Sequence, residues 1–183
     1  MRDRKQAIFQ SALELINDYG FHGMSMGQLA KHADVAAGTI YHYFKSKEEM
    51  ICVLYATHIE QVQVRLEQAN DPTLAYKDRF YAIWWAMYDY HIEHSYVLRF
   101  YEQFVNSPYF KDVKSNPVLE LFEDFLEEGM AAGLITKSRS DILSSLMIGN
   151  TISALKMKFY KNLNLSKLEI NSIIDLLWKG LSA

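Results

Sequence analysis

The chain has 183 residues, of which half are hydrophobic and 22% are charged, so its composition is that of one or two folded domains and not of a disordered protein. A single cysteine, Cys52, excludes an internal disulfide and a cysteine-based zinc site. The charged N-terminus and the lack of a long apolar run predict no secretory signal, no membrane span and a cytoplasmic protein.

The net charge of −3 is unevenly distributed along the chain. Residues 1–47 carry six basic and four acidic side chains, whereas the remaining residues carry thirteen basic and eighteen acidic ones. A mildly basic beginning is compatible with nucleic-acid binding at that end, although a charge balance of this size does not indicate a partner by itself.

Apolar residues recur at helical spacing along most of the chain, which predicts an all-α fold. The first helix is expected over about 4–19, with Gly20 ending it as an αL cap. Ser25 and Gln28 have the spacing of a capping box at the start of a second helix. A short link then leads to a third helix at about 36–44.

Longer helices follow. Ser46 and Glu49 have the spacing of a second capping box, which opens a helix that runs to about Ala69. Five more helices are expected, at about 74–93, 96–106, 116–132, 140–161 and 166–181. The predicted architecture therefore has about nine helices, with a three-helix helix-turn-helix domain over 1–47 and a larger helical domain over 48–183.

The segment from Val35 to Met50 carries the most functional information. Ile40 and Phe44 are four residues apart, so they share one helix face and should pack inward. The other face offers hydroxyl and ammonium groups that suit phosphate oxygens, from Thr39, Tyr41, Tyr43 and Lys47. A helix with one apolar face, one polar-aromatic face and few acids is suited to the major groove of DNA.

The string Gly38-Thr-Ile-Tyr-His-Tyr-Phe-Lys-Ser-Lys-Glu48 resembles the DNA-binding signature of TetR-family transcriptional regulators. Helix three of that family usually reads Gly-Thr-(Leu/Ile)-Tyr-x-(His/Tyr)-Phe, followed by Lys-x-Lys-(Glu/Asp). The likeness covers roughly residues 4–50. It implies a DNA-binding helix-turn-helix domain followed by a domain that binds a small effector and forms a dimer.

The resemblance also implies a role for each matching residue. Phosphates would be contacted by Ser25, the backbone at Met26, Thr39, Tyr41, Tyr43 and Lys47. Base edges would be faced by Ala36, Ala37, Gly38 and His42. Ala36 stands where the family often has a capping Ser, and Ala37 stands where a Lys, Arg or Gln often reads a base. We therefore expect apolar contacts with thymine methyl groups and a strongly salt-dependent affinity.

Aromatic residues are concentrated between residues 76 and 110. A bulky core is the simplest interpretation, but Trp and Tyr also bring polar groups into an apolar bundle, which is the usual profile of a small-molecule pocket. The resemblance implies an effector pocket in this region. Six residues are expected to line it: Trp84, Tyr88, His91, Tyr101, Phe104 and Phe122.

The last two predicted helices have apolar faces wider than a monomer needs to bury, and residues such as Ile142 and Leu146 lie on them. The family uses these helices to form a two-fold dimer, which would hold two recognition helices one DNA turn apart, about 34–36 Å, or a multiple of it. The expected partners are a second copy of the chain, a palindromic double-stranded DNA operator and a small, mostly apolar or aromatic effector.

The expected function is that of a repressor that leaves its operator when the effector binds. No catalytic residue, cofactor or metal site is expected, because His91 and His94 lack a nearby third ligand and no nucleotide-binding or hydrolase motif occurs. Two other classes stay open, a small α-helical enzyme and a helical partner-binding protein, each using the aromatic cavity.

Overall fold

The computed structural model describes residues 4–113 and 115–183, so the first three residues of the predicted N-terminal domain lie outside the described part. The described ranges contain nine α-helices: α1 (Arg4–Gly23), α2 (Met26–His32), α3 (Ala37–Tyr43), α4 (Lys47–Ala69), α5 (Tyr76–Glu93), α6 (Ser95–Val105), α7 (Pro117–Ala131), α8 (Ser140–Lys161) and α9 (Lys167–Leu181). A 3₁₀ helix, Pro108–Asp112, lies between α6 and α7. The all-α prediction is confirmed.

The predicted helices from the third onward begin and end within two residues of the observed ones. Asn162, inside the predicted break after α8, adopts the left-handed conformation with a φ of 53° and ends that helix. The 3₁₀ helix was not predicted. None of the helices in the described ranges combines the length and the apolar character needed to cross a bilayer.

Gly20 interrupts α1. Its φ of 69° and ψ of 176° form a combination that residues with a side chain rarely adopt, and the helix then continues to Gly23. The sequence signal for the end of the first straight segment is therefore right, but the predicted αL cap is wrong. The ψ angle is extended, far from the αL value of about +47°.

Two serines shape the helix starts in this part of the chain. Ser25 Oγ accepts from the Gln28 N–H at 3.2 Å and Gln28 Oε1 accepts from the Ser25 N–H at 2.8 Å, which confirms the first capping box. Ser46 Oγ likewise accepts from the Glu49 N–H at 3.2 Å. The Glu49 carboxylate, however, accepts from the N–H of Lys45 at 2.6 Å, one residue before the expected one.

The chain forms two compact units, which we call unit 1 and unit 2. Unit 1 consists of the chain up to His58 together with the segment from Tyr96 to residue 113, and unit 2 consists of Ile59–Ser95 and Ser115–Ala183. α4 passes from one unit to the other, and nearly all of α6 belongs to unit 1. The predicted domain boundary after residue 47 stays a prediction.

Unit 1 has a small apolar core built from its first three helices. Ile8, Ala12 and Ile16 of α1 are fully buried, as expected for residues four apart on one helix face. Leu29 of α2 and Ile40 of α3 complete this core without exposure to solvent. The core fixes α2 and α3 on α1.

Unit 2 has an aromatic core, and α8 packs in it against α5, α7 and α9. The ring of Tyr76 stacks on Phe125 with centroids 4.4 Å apart, and Trp178 meets Phe80 edge-on at 5.1 Å. The Tyr76 hydroxyl donates to the carbonyl of Phe125 at 2.8 Å. A Cβ at Gly129 would collide with this hydroxyl, so α7 needs a glycine there.

Candidate nucleic-acid interface

A tight turn joins α2 to α3. Asp34 adopts a positive φ of 53°, which Asp tolerates better than most residues, and the N–H of Val35 donates to the carbonyl of Ala30 at 3.0 Å. α2 packs against both α1 and α3. This is the helix-turn-helix arrangement that the sequence predicts.

α3 directs one face into unit 1 and the other toward solvent. Ile40 and Phe44 are buried, and the Phe44 ring lies 5.7 Å from that of Phe9 on α1. Tyr41 is 56% exposed and Tyr43 is 39% exposed. For these four residues, the predicted division into a core face and an exposed polar-aromatic face is observed.

Small residues form the beginning of α3. Ala36, Ala37 and Gly38 are exposed, and a Cβ placed on Gly38 would meet no atom of the described residues within 4 Å. Because no large side chain protrudes here, the backbone of another molecule can approach the start of α3 closely. His42 is also exposed on this helix, with its ring edge-on to Tyr43 at 5.6 Å.

The start of α2 lies in the same unit. Ser25 is exposed, whereas the side chain of Met26 is buried and leaves only its backbone at the helix start. Thr39 on α3 is half-buried. The roles in phosphate contact predicted for these three residues stay predictions.

Lys47 has a partner that the sequence does not reveal. Its side chain is half-buried, and Nζ donates to the carbonyl of Met24 at 2.7 Å. Met24 directly precedes Ser25, so the ammonium lies next to the start of α2. A lysine ammonium has three donors, so this bond leaves donors for a phosphate.

The charges of this surface favour an anionic partner. Between Ser25 and Lys47 the sequence has one acidic residue, Asp34. Lys31 lies in the last turn of α2, and Lys45 and Lys47 follow α3. A surface with few acids and several cations attracts the phosphate backbone of DNA.

Three of the six predicted effector residues lie on α5 in unit 2. The ring of Trp84 stacks on Tyr88 at 5.3 Å, and its Nε1 donates to Oδ1 of Asn150 at 2.9 Å. His91 is buried, and its Nδ1 donates to the carbonyl of Met87 at 2.8 Å. Burial lowers the pKa of His91, so the ring is neutral at pH 7.

The other three predicted effector residues are divided between the units. Phe122 is fully buried in unit 2. In unit 1, Phe104 is fully buried and stacks on Tyr55 at 4.1 Å, while Tyr101 is half-buried and burial raises its pKa. All six side chains contribute to packing, and their role in ligand binding stays a prediction.

Within residues 4–113 and 115–183, no three His, Cys, Asp or Glu side chains are arranged so that they could hold a metal ion. An open depression of about 470 Å³ in unit 2 is lined by Trp85, Asp89, Lys167 and Ile170.

A helix-turn-helix with an exposed recognition helix in an otherwise helical chain defines the class of DNA-binding transcriptional regulators. The sequence model described as "Bacterial regulatory proteins, tetR family" matches residues 8–52, and the one described as "Tetracyclin repressor-like, C-terminal domain" matches residues 75–182. The chain belongs to the TetR family. Proteins of this family are transcriptional regulators, which decides against the enzyme considered from the sequence.

Some relatives and solved structures match the chain over nearly its whole length. An uncharacterized helix-turn-helix regulator from Haemophilus influenzae is 27% identical to this chain. The alignment covers 98% of this chain and 96% of that protein. The crystal structure of a TetR-family regulator from Haemophilus influenzae has a TM-score of 0.83 at 25% identity, covering 99% of this chain and 97% of that one. The structure of the regulator FadR from Bacillus subtilis, solved in complex with stearoyl-CoA, has a TM-score of 0.77 at 20% identity. The match covers 96% of this chain and 98% of that one.

Proposed function

We propose that this regulator binds a palindromic DNA operator as a homodimer and acts as a repressor that a small, mostly apolar or aromatic effector releases. The observation that carries the DNA-binding part is the division of α3. Ile40 and Phe44 anchor the helix, while Tyr41 and Tyr43 project from the opposite side beside an exposed glycine.

Each residue predicted to bind DNA has a proposed contact. Phosphates are bound by hydroxyl groups, by one ammonium group and by the backbone at the start of α2. The residues that supply these groups are Ser25, Thr39, Tyr41 and Tyr43, then Lys47, and then Met26. Base edges meet Ala36, Ala37, Gly38 and His42. Because alanine and glycine form no side-chain hydrogen bonds with bases, most of the affinity comes from phosphates and falls steeply with salt.

The proposed dimer forms through α8 and α9. Leu168 is 77% exposed and Leu176 is 71% exposed on α9, while Ile142 and Leu146 are exposed on α8. Large apolar side chains with this exposure favour an interface. Several apolar residues of these two helices instead belong to the core of unit 2: Leu143, Leu155, Ile170, Ile174 and Leu181.

The proposed effector binds among aromatic residues of unit 2, where Trp84, Tyr88, His91 and Phe122 are the proposed lining. Tyr101 and Phe104 belong to unit 1, and the role in effector binding predicted for them stays a prediction. The apolar character of these residues and the stearoyl-CoA bound to the Bacillus subtilis neighbour support an effector with a large apolar part. The effector shifts the protein toward a state with low operator affinity only by as much as it binds that state better.

Selection from a library of random 30-base-pair duplexes tests operator binding. We expect enrichment of an inverted repeat whose half-sites are about one helical turn, or a multiple of it, apart. Enrichment of no sequence, together with binding that does not weaken between 50 and 200 mM salt, would contradict the proposed DNA contacts.

Thermal melting and release of the selected duplex test the effector, with stearoyl-CoA as the first probe and small aromatic acids as the second. A ligand present at about 100 times its Kd stabilises the protein by about 2.7 kcal/mol, which raises the Tm. A rise in Tm with release of the duplex is expected. A rise in Tm without release would contradict the repressor mechanism.

A further inference from the structure

The segment that contains α6 and the 3₁₀ helix packs in unit 1 although it lies far from α1 in the sequence. Phe21, directly after the break in α1, is buried and meets Phe100 of α6 edge-on at 5.8 Å. Tyr109 of the 3₁₀ helix also meets the ring of Phe21, with the centroids 6.0 Å apart. α6 thus supports the part of α1 that leads into α2.

Gln103 of α6 contacts the break itself. Its Nε2 donates to the carbonyl of Ile16 at 3.3 Å. Ile16 lies in the last turn before the break at Gly20. The Oε1 atom of Gln103 also lies 3.3 Å from the position of a Cβ on Gly20. The Gln103 amide therefore packs over the glycine and binds the turn that precedes it.

The chain after the break leads directly to the proposed phosphate contacts. Met24 is buried and its carbonyl accepts from Lys47 Nζ. Ser25, five residues after Gly20, caps α2. The direction in which the chain leaves the break therefore sets the position of Ser25 and of the start of α2.

We infer that Gln103 is a positioning residue for DNA binding, which acts by holding the break in α1 and thereby the start of α2. The inference rests on the proposed function. Phosphate contacts fix the register of a protein on DNA. A displaced α2 therefore reduces specific binding, whereas non-specific binding depends on charge and tolerates the displacement.

The test compares two DNA probes at one salt concentration: the duplex that the wild-type protein selects from a random library, and poly(dI-dC). Gln103→Met removes the donor while keeping the length of the side chain. We expect it to weaken binding of the selected duplex by about 3- to 10-fold, the effect of one lost hydrogen bond, with little change for poly(dI-dC). In this variant, hydrogen exchange should become faster at the Gln28 N–H, which donates to Ser25 Oγ in the capping box.

Three further variants complete the design. Gln10→Met is the matched control, because Gln10 is an exposed glutamine of α1 that donates to Glu14 at 2.7 Å. Gln103→Glu also removes the donor, with no change of size, and Gln103→Lys restores a donor. A change of charge affects binding to both probes, so we compare the ratio of the affinity for the selected duplex to the affinity for poly(dI-dC). The ratio should fall for Gln103→Glu and recover for Gln103→Lys.

Equal losses on both probes in parallel with a lower Tm would mean a purely structural role, and an unchanged ratio for both Gln103→Met and Gln103→Glu would exclude any role. Either result overturns the inference. Failure of the wild-type protein to select any duplex would instead contradict the proposed function.

Discussion

The ammonium of Lys47, at the start of α4, donates a hydrogen bond to the main-chain carbonyl of Met24, 2.7 Å away and 23 residues earlier in the chain. The bond ties the N-terminus of α4 to the residue that precedes the Ser25 cap of α2. Lys47 is thus a structural link as well as a proposed phosphate contact.

Lys47→Met should weaken binding to every duplex, whatever its sequence. Loss of one phosphate contact should reduce the slope of log K against log salt concentration by about 0.9. Fluorescence anisotropy with the selected duplex at four salt concentrations measures both quantities.

Lys137→Met is the matched control, because Lys137 is an exposed lysine of unit 2 and its loss changes the net charge equally. Its salt slope should stay that of the wild type. A lower affinity of Lys47→Met with an unchanged slope would mean that Lys47 acts only through Met24.

Tyr43→Phe should reduce affinity for all duplexes by about 3- to 10-fold, because a single hydroxyl contact to phosphate is lost. Its Tm should remain unchanged, since the side chain is 39% exposed. Tyr19→Phe is the matched control, because it also removes one tyrosine hydroxyl, from a side chain of α1 that is 62% exposed. This variant should leave DNA binding unaltered. Sequence-dependent losses for Tyr43→Phe would indicate base contact instead.

Leu176→Glu should convert the proposed dimer into monomers, because a carboxylate would be buried in an apolar face of both copies. Sedimentation velocity at micromolar concentration measures the mass. Leu74→Glu is the control, since Leu74 is also exposed, at 45%, but lies before α5. A dimer that survives Leu176→Glu and Leu146→Glu would contradict an interface through α8 and α9.

His91 predicts a loss of stability in mild acid. Burial lowers its pKa from the ordinary value of 6.5, outweighing the hydrogen bond to the Met87 carbonyl, and the neighbouring His94 lowers it further. Below pH 6.5 the unfolded chain binds a proton that the folded protein excludes. The free energy of unfolding should therefore decrease by up to about 1.4 kcal/mol per pH unit as the pH falls from about 6.5 toward the folded pKa.

Urea unfolding at several pH values between 5 and 7.5 measures this effect. His91→Gln should flatten the pH dependence relative to the wild type. Parallel pH profiles for the wild type and His91→Gln would exclude a contribution from His91.

Features that depend on neighbours within about four residues were predictable from the sequence. The capping box of Ser25 and Gln28 and the inward pair Ile40 and Phe44 are examples, since both follow from helix periodicity and cap chemistry. The conformation of Gly20 was predicted in part: the glycine marks the break, but its ψ depends on the packing around it.

The amino-acid sequence by itself determined where the α-helices lie and which face of α3 is exposed, because these features depend on interactions across one helical turn. Only the tertiary structure decided that Lys47 binds Met24, that Gln103 binds Ile16, and that α6 packs beside the break in α1. These contacts join residues up to 87 positions apart, and their geometry is set by the way whole helices pack.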